Sequence, residues 1–396
     1  MKIIYTGSFR FPNYDAAASR VLNNARILRA LGHDVMFVSF GGDERDEDKC
    51  DGGYLYDGFP YIVAQEIDGN GRSFMKRMTG TFKRGAKSMN IIRRYSANAV
   101  IGYNTTYFAA KQLLAYCKER HIPYIEDRTE WYSANEIFGG CFTPLYWLSE
   151  WNMKHVQRQC VKNKILISSF LNEYYSQSNN ITLPPLIDTH DAKWSMECKC
   201  KDERVLNHKG RRLIYAGSPG KKDLLANIIK GLSDANPVEN NLQLIVVGVS
   251  EAQSVLFVNE DEKKMLRDSL VFIGRVPQDE VPSYYNISDC SLIIRENNRK
   301  NRAGFPTKMS ESMAAGCPVM MTLTSDLAEY AKDSENALII KDFTPQSVAN
   351  GLLQLTKVQE SQLIYMKSCA KKFGYKQFDW RNYLSPMQLF MNNLRK

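Results

Sequence analysis

The feature that most constrains the fold is an alternation between short apolar runs and stretches in which apolar residues recur with helical spacing. The first run, 2–6, stops at Gly7, and helical spacing begins at about Ala16. Gly32 is placed to end that helix as a C-terminal cap. A second apolar run, 34–40, follows directly. This order of strand, helix and strand predicts the beginning of a parallel α/β sheet.

The alternation continues along the chain and is interrupted once, by a proline-marked stretch at 183–188 and a charged segment at 198–211. Before the interruption, a helix is predicted over 109–120 and further strands at 61–64, 99–103, 123–126 and 164–167. After it, strands are predicted at 213–216, 242–247, 270–273, 291–295, 319–322 and 337–340. A chain of 396 residues suits two domains. We therefore expect two doubly wound α/β domains, with the site in the cleft between them at the carboxyl ends of the strands.

Composition narrows the class of protein. The formal net charge of +9 favours anionic partners such as nucleotides, phospholipids or nucleic acid. The nine cysteines are scattered, and the one close pair, Cys198 and Cys200, has no second pair or histidine at zinc-finger spacing. This pattern predicts neither a disulfide framework nor a zinc site and is typical of a reducing cytoplasm. We see no secretory signal and no apolar stretch of about 18 residues, so a soluble or peripheral protein is expected.

The most informative segment is 303–318, which follows the predicted strand 291–295 through a polar loop. Gly304 permits close backbone approach, and Pro306 suits the first position of a helix. The free amides at the start of that helix, around Thr307, form a site for phosphate groups, to which Lys308 adds positive charge.

Glu311 lies one turn further along the same helix face as Thr307. Its carboxylate can accept hydrogen bonds from two sugar hydroxyls, such as a ribose diol. The alternative is that Glu311 only complements the helix dipole.

This segment resembles a motif of the retaining glycosyltransferases of family 4, which have the GT-B fold: E-G-F-P…E-x-M-A-x-G-x-P-V. The matching residues are Gly304, Phe305, Pro306, Glu311, Met313, Ala314, Gly316, Pro318 and Val319. The resemblance implies two Rossmann-like domains facing across a cleft, with Glu311 holding the donor ribose. Ala303 occupies the position of the first motif glutamate, which in the family lies by the transferred sugar. Glu296 is a candidate replacement, and we interpret the A-G-F-P-T-K variant as a subgroup feature.

A second match follows the strand predicted at 213–216. Family members have a Gly-Arg near the strand end and a lysine several residues on, both reaching the donor diphosphate. Gly217 and Lys222 match, whereas Ser218 stands where the arginine is expected. Arg295 is a candidate replacement as a diphosphate clamp. The alternative is that lysines at this turn are simply solvated.

Weaker matches extend the resemblance over most of the chain. Gly32 begins a G-H-x-V sequence, and 183–188 resembles the interdomain linker of the family. The expected division is an acceptor-side domain at 1–184 and a nucleotide-sugar-binding domain at 188–365. The resemblance also implies that 366–396 ends in a helix that packs back on the first domain.

The acceptor is expected at the first domain. The predicted loop 7–15 would lie at the mouth of the cleft, and its candidate acceptor residues are Phe9, Arg10, Tyr14 and Asp15. Asp127 and Glu130 follow the strand predicted at 123–126, where many family members have a histidine. We take both as candidates for orienting acceptor or donor hydroxyls, with a structural role as the alternative.

A membrane contact is predicted from the basic stretch 72–94, in which Lys and Arg alternate with apolar residues; the longer segment 69–118 contains no Asp or Glu. This composition suits docking on an anionic membrane. A solvated basic helix is the first alternative. A nucleic-acid patch is the second, and it is not expected because no nucleic-acid-binding module is recognisable.

These observations and the resemblance predict a hexosyltransferase that uses a UDP- or GDP-linked sugar and retains anomeric configuration. The acceptor is expected to be a glycan or lipid-linked intermediate of bacterial surface polysaccharide biosynthesis, at the inner face of the cell membrane. No metal is expected, because no metal-binding aspartate pair is evident. The departing diphosphate itself would take the acceptor proton, stabilised by Lys222, Lys308 and Arg295.

Three rival functions remain open. One is a catalytically silent glycosyltransferase-like subunit that binds a membrane or a partner, which Ala303 and Ser218 favour. Another is a GT-B sugar-nucleotide epimerase. A dinucleotide oxidoreductase is disfavoured because no G-x-G-x-x-G sequence follows either opening strand.

Overall fold

The computed structural model describes residues 1–51, 53–66, 80, 83–137, 139–220, 223–235 and 241–396. They form two compact units. The first unit comprises Met1–Leu186 and Trp380–Lys396, and the second comprises Ile187–Asp379.

The first unit is built on a nine-stranded sheet. Its strands are β1 Lys2–Phe11, β2 Asp34–Gly42, β3 Lys49–Cys50, β4 Gly53–Tyr56, β5 Phe59–Val63, β6 Ala99–Tyr103, β7 Tyr124–Arg128, β8 Asn163–Leu166 and β9 Asn179–Thr182. They lie in the order β3-β4-β5-β2-β1-β6-β7-β8-β9. The two pairs that involve β4 are antiparallel and the others are parallel. Parallel strands are covered on both faces, which explains why β6 and the first halves of β1 and β2 are rich in apolar residues.

Helices cover this sheet. They are α1 Ala16–Ala30, α2 Ala86–Ile92, α3 Tyr107–Arg120, α4 Pro144–Trp151 and α5 Ser169–Tyr174. A π-helix, Asn152–Cys160, continues α4. The carboxylate of Asp15 caps α1 by accepting a hydrogen bond from the Ala18 N–H at 2.9 Å. Gly32, at φ +81°, ends the helix as the sequence predicts.

The second unit contains a six-stranded, wholly parallel sheet. Its strands are β10 Arg211–Ala216, β11 Leu242–Val247, β12 Leu270–Gly274, β13 Cys290–Ile293, β14 Val319–Met321 and β15 Ala337–Ile339. The order is β12-β11-β10-β13-β14-β15. Its helices are α6 Glu203–Asn207, α7 Leu225–Ala235, α8 Glu260–Leu266, α9 Val281–Asn286, α10 Arg299–Ala303, α11 Thr307–Ala314, α12 Leu327–Tyr330, α13 Pro345–Lys357 and α14 Glu360–Phe378.

The last helix of the chain, α15 Leu384–Asn392, belongs to the first unit. Short 3₁₀ turns lie at Asp46–Asp48, Ala134–Glu136, Gly140–Phe142, Ala192–Ser195, Glu251–Leu256, Arg267–Ser269 and Trp380–Tyr383. The predicted α/β class with two doubly wound sheets is confirmed.

Two predictions about extent need correction. Strand β1 does not stop at residue 6, because the predicted loop residues Arg10 and Phe11 pair with β2. Residues 366–379 pack in the second unit rather than on the first. There α14 lies so close to α11 that a Cβ added at Gly374 would be 2.9 Å from the Cβ of Met313. Only 380–396 return to the first unit, where Phe390 is buried in the core.

Candidate functional site

The second sheet has a switch point, where the strand order reverses, between β10 and β13. Ligands of doubly wound sheets bind at such a point, outside the carboxyl ends of the strands. Gly217 follows β10 at φ +129°, and its N–H donates to the carbonyl of Val247 at 2.8 Å. A Cβ at the neighbouring Gly248 would be only 2.7 Å from the carbonyl oxygen of Gly217. The two glycines therefore let the backbone pack tightly beside the space in which a ligand binds.

Two cations meet one carboxylate at this switch point. The guanidinium of Arg295, just beyond β13, contacts Asp223 with an Nε–Oδ1 distance of 2.8 Å. The Nζ of Lys308 contacts the other oxygen of Asp223 at 2.6 Å and lies 3.7 Å from the ring centroid of Tyr215. The Tyr215 hydroxyl also donates to Asp223 at 2.9 Å. The cluster is nearly closed to solvent, since all three charged side chains are 10–11% exposed.

The pKa values in the cluster follow from burial and charge. Burial alone would raise the pKa of Asp223, but Lys308 and Arg295 outweigh it and hold that pKa well below its usual range. Burial lowers the pKa of Lys308 to about 8, although Asp223 opposes the shift. With both cations charged, two positive charges face one negative charge. The surplus positive charge suits an anionic ligand.

Glu311 lies on α11, one turn beyond Thr307. Its side chain is half-buried, and within the part of the chain that the structure describes its carboxylate makes no hydrogen bond or ion pair. Burial raises its pKa, against the opposing charges of Lys193 and Lys308. A partly buried carboxylate without a protein partner is suited to accept hydrogen bonds from a ligand.

The start of α11 also has unused donors. The helix begins at Thr307, so Pro306 precedes it and is not its first residue as predicted. No side chain caps this terminus. The first amides of the helix therefore remain available to an anion beside Lys308. Gly304 and Phe305 form the turn between α10 and α11 and are buried.

The position of the first motif glutamate is buried as well. Ala303 ends α10 and is fully enclosed. Glu296, the candidate replacement, is exposed and accepts a hydrogen bond from the Asn298 side chain at 3.0 Å. Ser218 is exposed beyond β10. Lys222 lies outside the described residues, so its predicted contact with the diphosphate stays a prediction.

The candidate acceptor residues differ in how exposed they are. Phe9 is fully buried among the aromatic rings of the first-unit core, so its assignment to an acceptor surface is wrong. The error arises because residues 7–15 were predicted to form a loop. In the structure Phe9 and Phe11 lie on β1, and both point into the core. Arg10 is exposed and pairs with Asp15 at 2.9 Å. Tyr14 is 37% exposed and its hydroxyl bonds Asp43.

The carboxylate of Asp127 lies in a buried cluster of hydrogen bonds. Its carboxylate accepts from Arg20 at 2.9 Å, from Asn24 at 3.0 Å and from the hydroxyl of Tyr5, and it is 0% exposed. This burial contradicts the predicted contact between Asp127 and a substrate hydroxyl and favours the structural alternative. Glu130 is half-buried and accepts a hydrogen bond from the Tyr132 hydroxyl.

Sequence reasoning missed Asp223 and Tyr215 as members of the site. The available signal in the sequence was an acidic residue, Asp223, directly after two lysines. Among the described residues no group of three His, Cys, Asp or Glu side chains could hold a metal ion. All nine cysteines are unpaired. In the same part of the chain, no helix combines the length and the apolar character needed to cross a bilayer.

Residues 199–372 match the family described as Glycosyl transferases group 1. An uncharacterized glycosyltransferase of Methanocaldococcus jannaschii is 23% identical over 175 residues, which are 43% of this chain. The chain spans about two fifths (42%) of the length of that curated relative.

Solved structures are similar over the whole chain. HepE of Anabaena, in complex with UDP and glucose, has a TM-score of 0.70 at 12% identity, with 100% of both chains covered. WaaG, a glycosyltransferase involved in lipopolysaccharide biosynthesis, has a TM-score of 0.66 at 15% identity, with 98% of both chains covered. The fold shared with these structures is GT-B. The match to the group 1 family covers 199–372, most of the second unit, and the likeness to the solved structures covers the fold of the whole chain.

Proposed function

We propose that the protein moves a glycosyl group from a nucleotide diphosphate sugar to an acceptor hydroxyl, with retention at the anomeric carbon. The observation that carries the proposal is the switch point of the second sheet. There Arg295 and Lys308 lie together beside the uncapped start of α11, and the next turn of that helix holds the unpartnered carboxylate of Glu311. Positive charge and free amides suit a diphosphate, and a carboxylate suits a ribose diol.

The diphosphate would be held by charge and by main-chain donors. Asp223 offsets one of the two cations, which leaves a positive charge and the amides around Thr307 for the phosphates. Gly217 allows the diphosphate to approach the backbone after β10. Lys222, by its match to the motif, is proposed as a further cation at the same group.

The proposed step needs no protein nucleophile. The acceptor oxygen attacks the anomeric carbon on the face from which the diphosphate departs. The bond between that carbon and the phosphate oxygen breaks with its electron pair on the oxygen, which then takes the proton of the acceptor hydroxyl. The protein contributes by positioning the reactants and stabilising charge on the leaving diphosphate.

We propose a UDP- or GDP-linked hexose as donor. The complexes of HepE with UDP and with UDP-glucose support the uridine option. For the acceptor we propose a glycan or lipid-linked intermediate of bacterial surface polysaccharide, for which the likeness to WaaG is the support. The basic stretch 72–94 is proposed to hold the protein at the cytoplasmic face of the membrane. Of that stretch, the structure describes 80 and 83–94.

A specific observation supports one second candidate, a silent subunit that binds a partner or membrane without turnover. Ala303 offers no carboxylate at the position of the first motif glutamate, and Ser218 offers no cation. This candidate predicts weak donor binding and no transfer or hydrolysis.

The test is thermal-shift binding over a panel of nucleotides and nucleotide sugars, on wild type and on Glu311→Ala. A ligand at about 100 times its Kd stabilises the fold by about 2.7 kcal/mol. We expect one nucleoside diphosphate and its sugar to shift wild type, and to shift Glu311→Ala clearly less. Glu335→Ala is the matched control and should respond like wild type, because Glu335 is exposed, pairs with Lys332 at 3.7 Å and lies before β15, at the amino ends of the strands.

The second candidate is favoured if no member of the panel shifts wild type. Product analysis of the binding sugar nucleotide then separates transfer from epimerisation. A transferase releases nucleoside diphosphate only with acceptor or water, whereas an epimerase changes the sugar without an acceptor.

A further inference from the structure

A basic pocket lies in the first unit, at the edge of the sheet where β8 and β9 begin. Its volume is about 820 Å³, and its charged lining comprises Lys154, His155, Arg158, Lys162 and Arg395, with no Asp or Glu. Parallel strands place their amino ends at one edge of a sheet and their carboxyl ends at the other. The pocket therefore lies at the edge opposite the predicted acceptor residues, which lie at the carboxyl ends of β1 and β7.

Two of these cations, Arg158 and Arg395, have no carboxylate partner in the described part of the chain. Arg158 lies over the ring of Tyr174 at 4.9 Å. Arg395 donates to the main-chain carbonyl of Gln177 at 3.2 Å, and Lys162 donates to an oxygen of Lys396 at 2.6 Å. Neither contact of the two arginines neutralises the guanidinium group, so the mouth of the pocket is positively charged.

A buried lysine lies beneath this surface. The side chain of Lys164 is 0% exposed, and its Nζ donates to Ser178 Oγ at 2.6 Å and to the carbonyl of Val161 at 2.5 Å. Ser178 and Val161 both line the pocket. The floor is therefore polar, and together with the cations at the mouth it favours an anion over a cation or an apolar ligand.

Exposed tryptophans adjoin the pocket. Trp147 and Trp151 lie one turn apart on α4 and are 60% and 54% exposed. The ring of Trp151 packs on His155 at 4.0 Å, and His155 lines the pocket. Phe142, just before α4, is 95% exposed. Tryptophan beside basic side chains is the combination found where proteins meet the head-group region of a bilayer.

We infer that this surface docks the protein on an anionic phospholipid bilayer, with a head-group phosphate in the pocket and the tryptophan rings among the head groups. We call it the aromatic-basic surface; its members are Phe142, Trp147, Trp151, Arg158, Lys162 and Arg395. The pocket alone would suit any phosphate. The exposed aromatic side chains select the bilayer, because a soluble phosphate leaves them in water. The inference goes beyond the proposed transfer reaction and does not depend on the donor site.

The experiment is cosedimentation of the full chain with vesicles of phosphatidylcholine alone or mixed with phosphatidylglycerol. We expect binding to the mixed vesicles. Each basic residue near an anionic surface contributes about fivefold, so Arg158→Gln with Lys162→Gln should weaken binding about 30-fold. The control, Lys201→Gln with Lys209→Gln, removes the same charge from exposed positions of the second unit and should change binding less than about twofold.

A second pair of variants tests the aromatic part. Mixed vesicles containing brominated lipid should quench tryptophan fluorescence of wild type, because Trp147 and Trp151 would enter the interface whereas Trp131 and Trp194 are buried. Trp147→Ala with Trp151→Ala should lose the quenching while the far-ultraviolet circular dichroism stays unchanged.

Two results overturn the inference. One is that the Arg158→Gln, Lys162→Gln variant binds mixed vesicles as tightly as wild type, with unaltered quenching of tryptophan fluorescence. The other is a thermal shift by inorganic diphosphate that this variant abolishes, together with no vesicle binding by wild type. That second result would assign the pocket to a soluble phosphate.

Discussion

At the scale of single residues, buried charge decides what the candidate donor site can bind. One carboxylate, Asp223, holds Arg295 and Lys308 together where β10 and β13 end. Without it two like charges would lie close together in a largely desolvated space. Asp223 therefore organises the cations that are proposed to meet the diphosphate.

Asp223→Asn removes this counter-charge and should lower the free energy of unfolding by about 3–5 kcal/mol, because it leaves buried cations unpaired. Urea unfolding of the protein without ligand measures the change. Asp234→Asn is the matched control, since Asp234 pairs with Lys230 at an exposed site and should cost under about 1 kcal/mol. Equal losses in the two variants would show that the cluster contributes no more than a surface pair.

Lys164 predicts a pH dependence of stability. Burial lowers the pKa of Lys164 to about 7, against the opposing charge of Glu126, while Arg128 adds to the lowering. Between about pH 7 and pH 10 the unfolded chain holds a proton that the folded protein has lost, so stability due to this group rises with pH. Lys164→Met removes that dependence.

The difference in free energy of unfolding, wild type minus Lys164→Met, should therefore rise by on the order of a few kcal/mol from pH 7 to pH 10. Urea titrations at several pH values measure it. Lys162→Met, at an exposed lysine two positions earlier, should show a difference that is flat across this window. A flat difference for Lys164→Met as well would mean that Lys164 stays charged in the folded protein.

These residue-scale features could not be read from the sequence. Asp223 is separated from Arg295 by 72 positions and from Lys308 by 85, and only the sheet order brings them together. Asp127 has its arginine partner, Arg20, 107 positions away. The place of Glu311 on a helix between a turn and a strand was predictable, because these three elements are adjacent in sequence.

At the scale of elements, the strands that the sequence predicts are those buried on both faces. β6 and β11 have the predicted bounds, since covered parallel strands are continuous apolar runs. The strands β3, β4 and β9 were not predicted. β9 is Asn-Asn-Ile-Thr, a polar edge strand. Its sequence has no apolar run, and its pairing with β8 identifies it as a strand.

The turn after β11 should tolerate substitution poorly. Gly248 has φ +102°, and a Cβ there would be 2.7 Å from the Gly217 carbonyl oxygen. Gly248→Ala should cost about 2 kcal/mol or more through backbone strain and steric overlap. It should also weaken nucleotide binding in the thermal-shift panel by displacing Gly217.

Gly220→Ala provides a control of opposite sign. Gly220 has no positive φ, and nothing lies within 4 Å of a Cβ placed there. Alanine should leave stability unchanged or raise it by up to about 1 kcal/mol, because it restricts the unfolded chain. If Gly248→Ala and Gly220→Ala lose the same stability, the close approach of Gly248 to Gly217 does not determine the conformation of this turn.

At the scale of the whole molecule, the chain builds its first unit from both of its ends. Residues 380–396 complete a core that otherwise consists of residues before Leu186. The family resemblance predicted that the chain returns to the first domain, but it placed the start of this return at residue 366. In the structure α14 packs against α11 of the second unit, at a close approach of Gly374 and Met313 that no local sequence pattern signals.

Phe390 tests this discontinuous organisation. Its side chain is 3% exposed, whereas the side chain of the preceding residue on α15, Leu389, is 66% exposed. Phe390→Ala should cost about 3–5 kcal/mol, and Leu389→Ala under about 0.5 kcal/mol. Hydrogen exchange read by mass spectrometry should show where the loss falls: faster exchange in helix α1 and strand β9, which pack against α15, and unchanged exchange in β10, β11 and β13. Faster exchange in the second set alone would contradict the assignment of the chain terminus to the first unit, because a cavity acts first on the elements that line it.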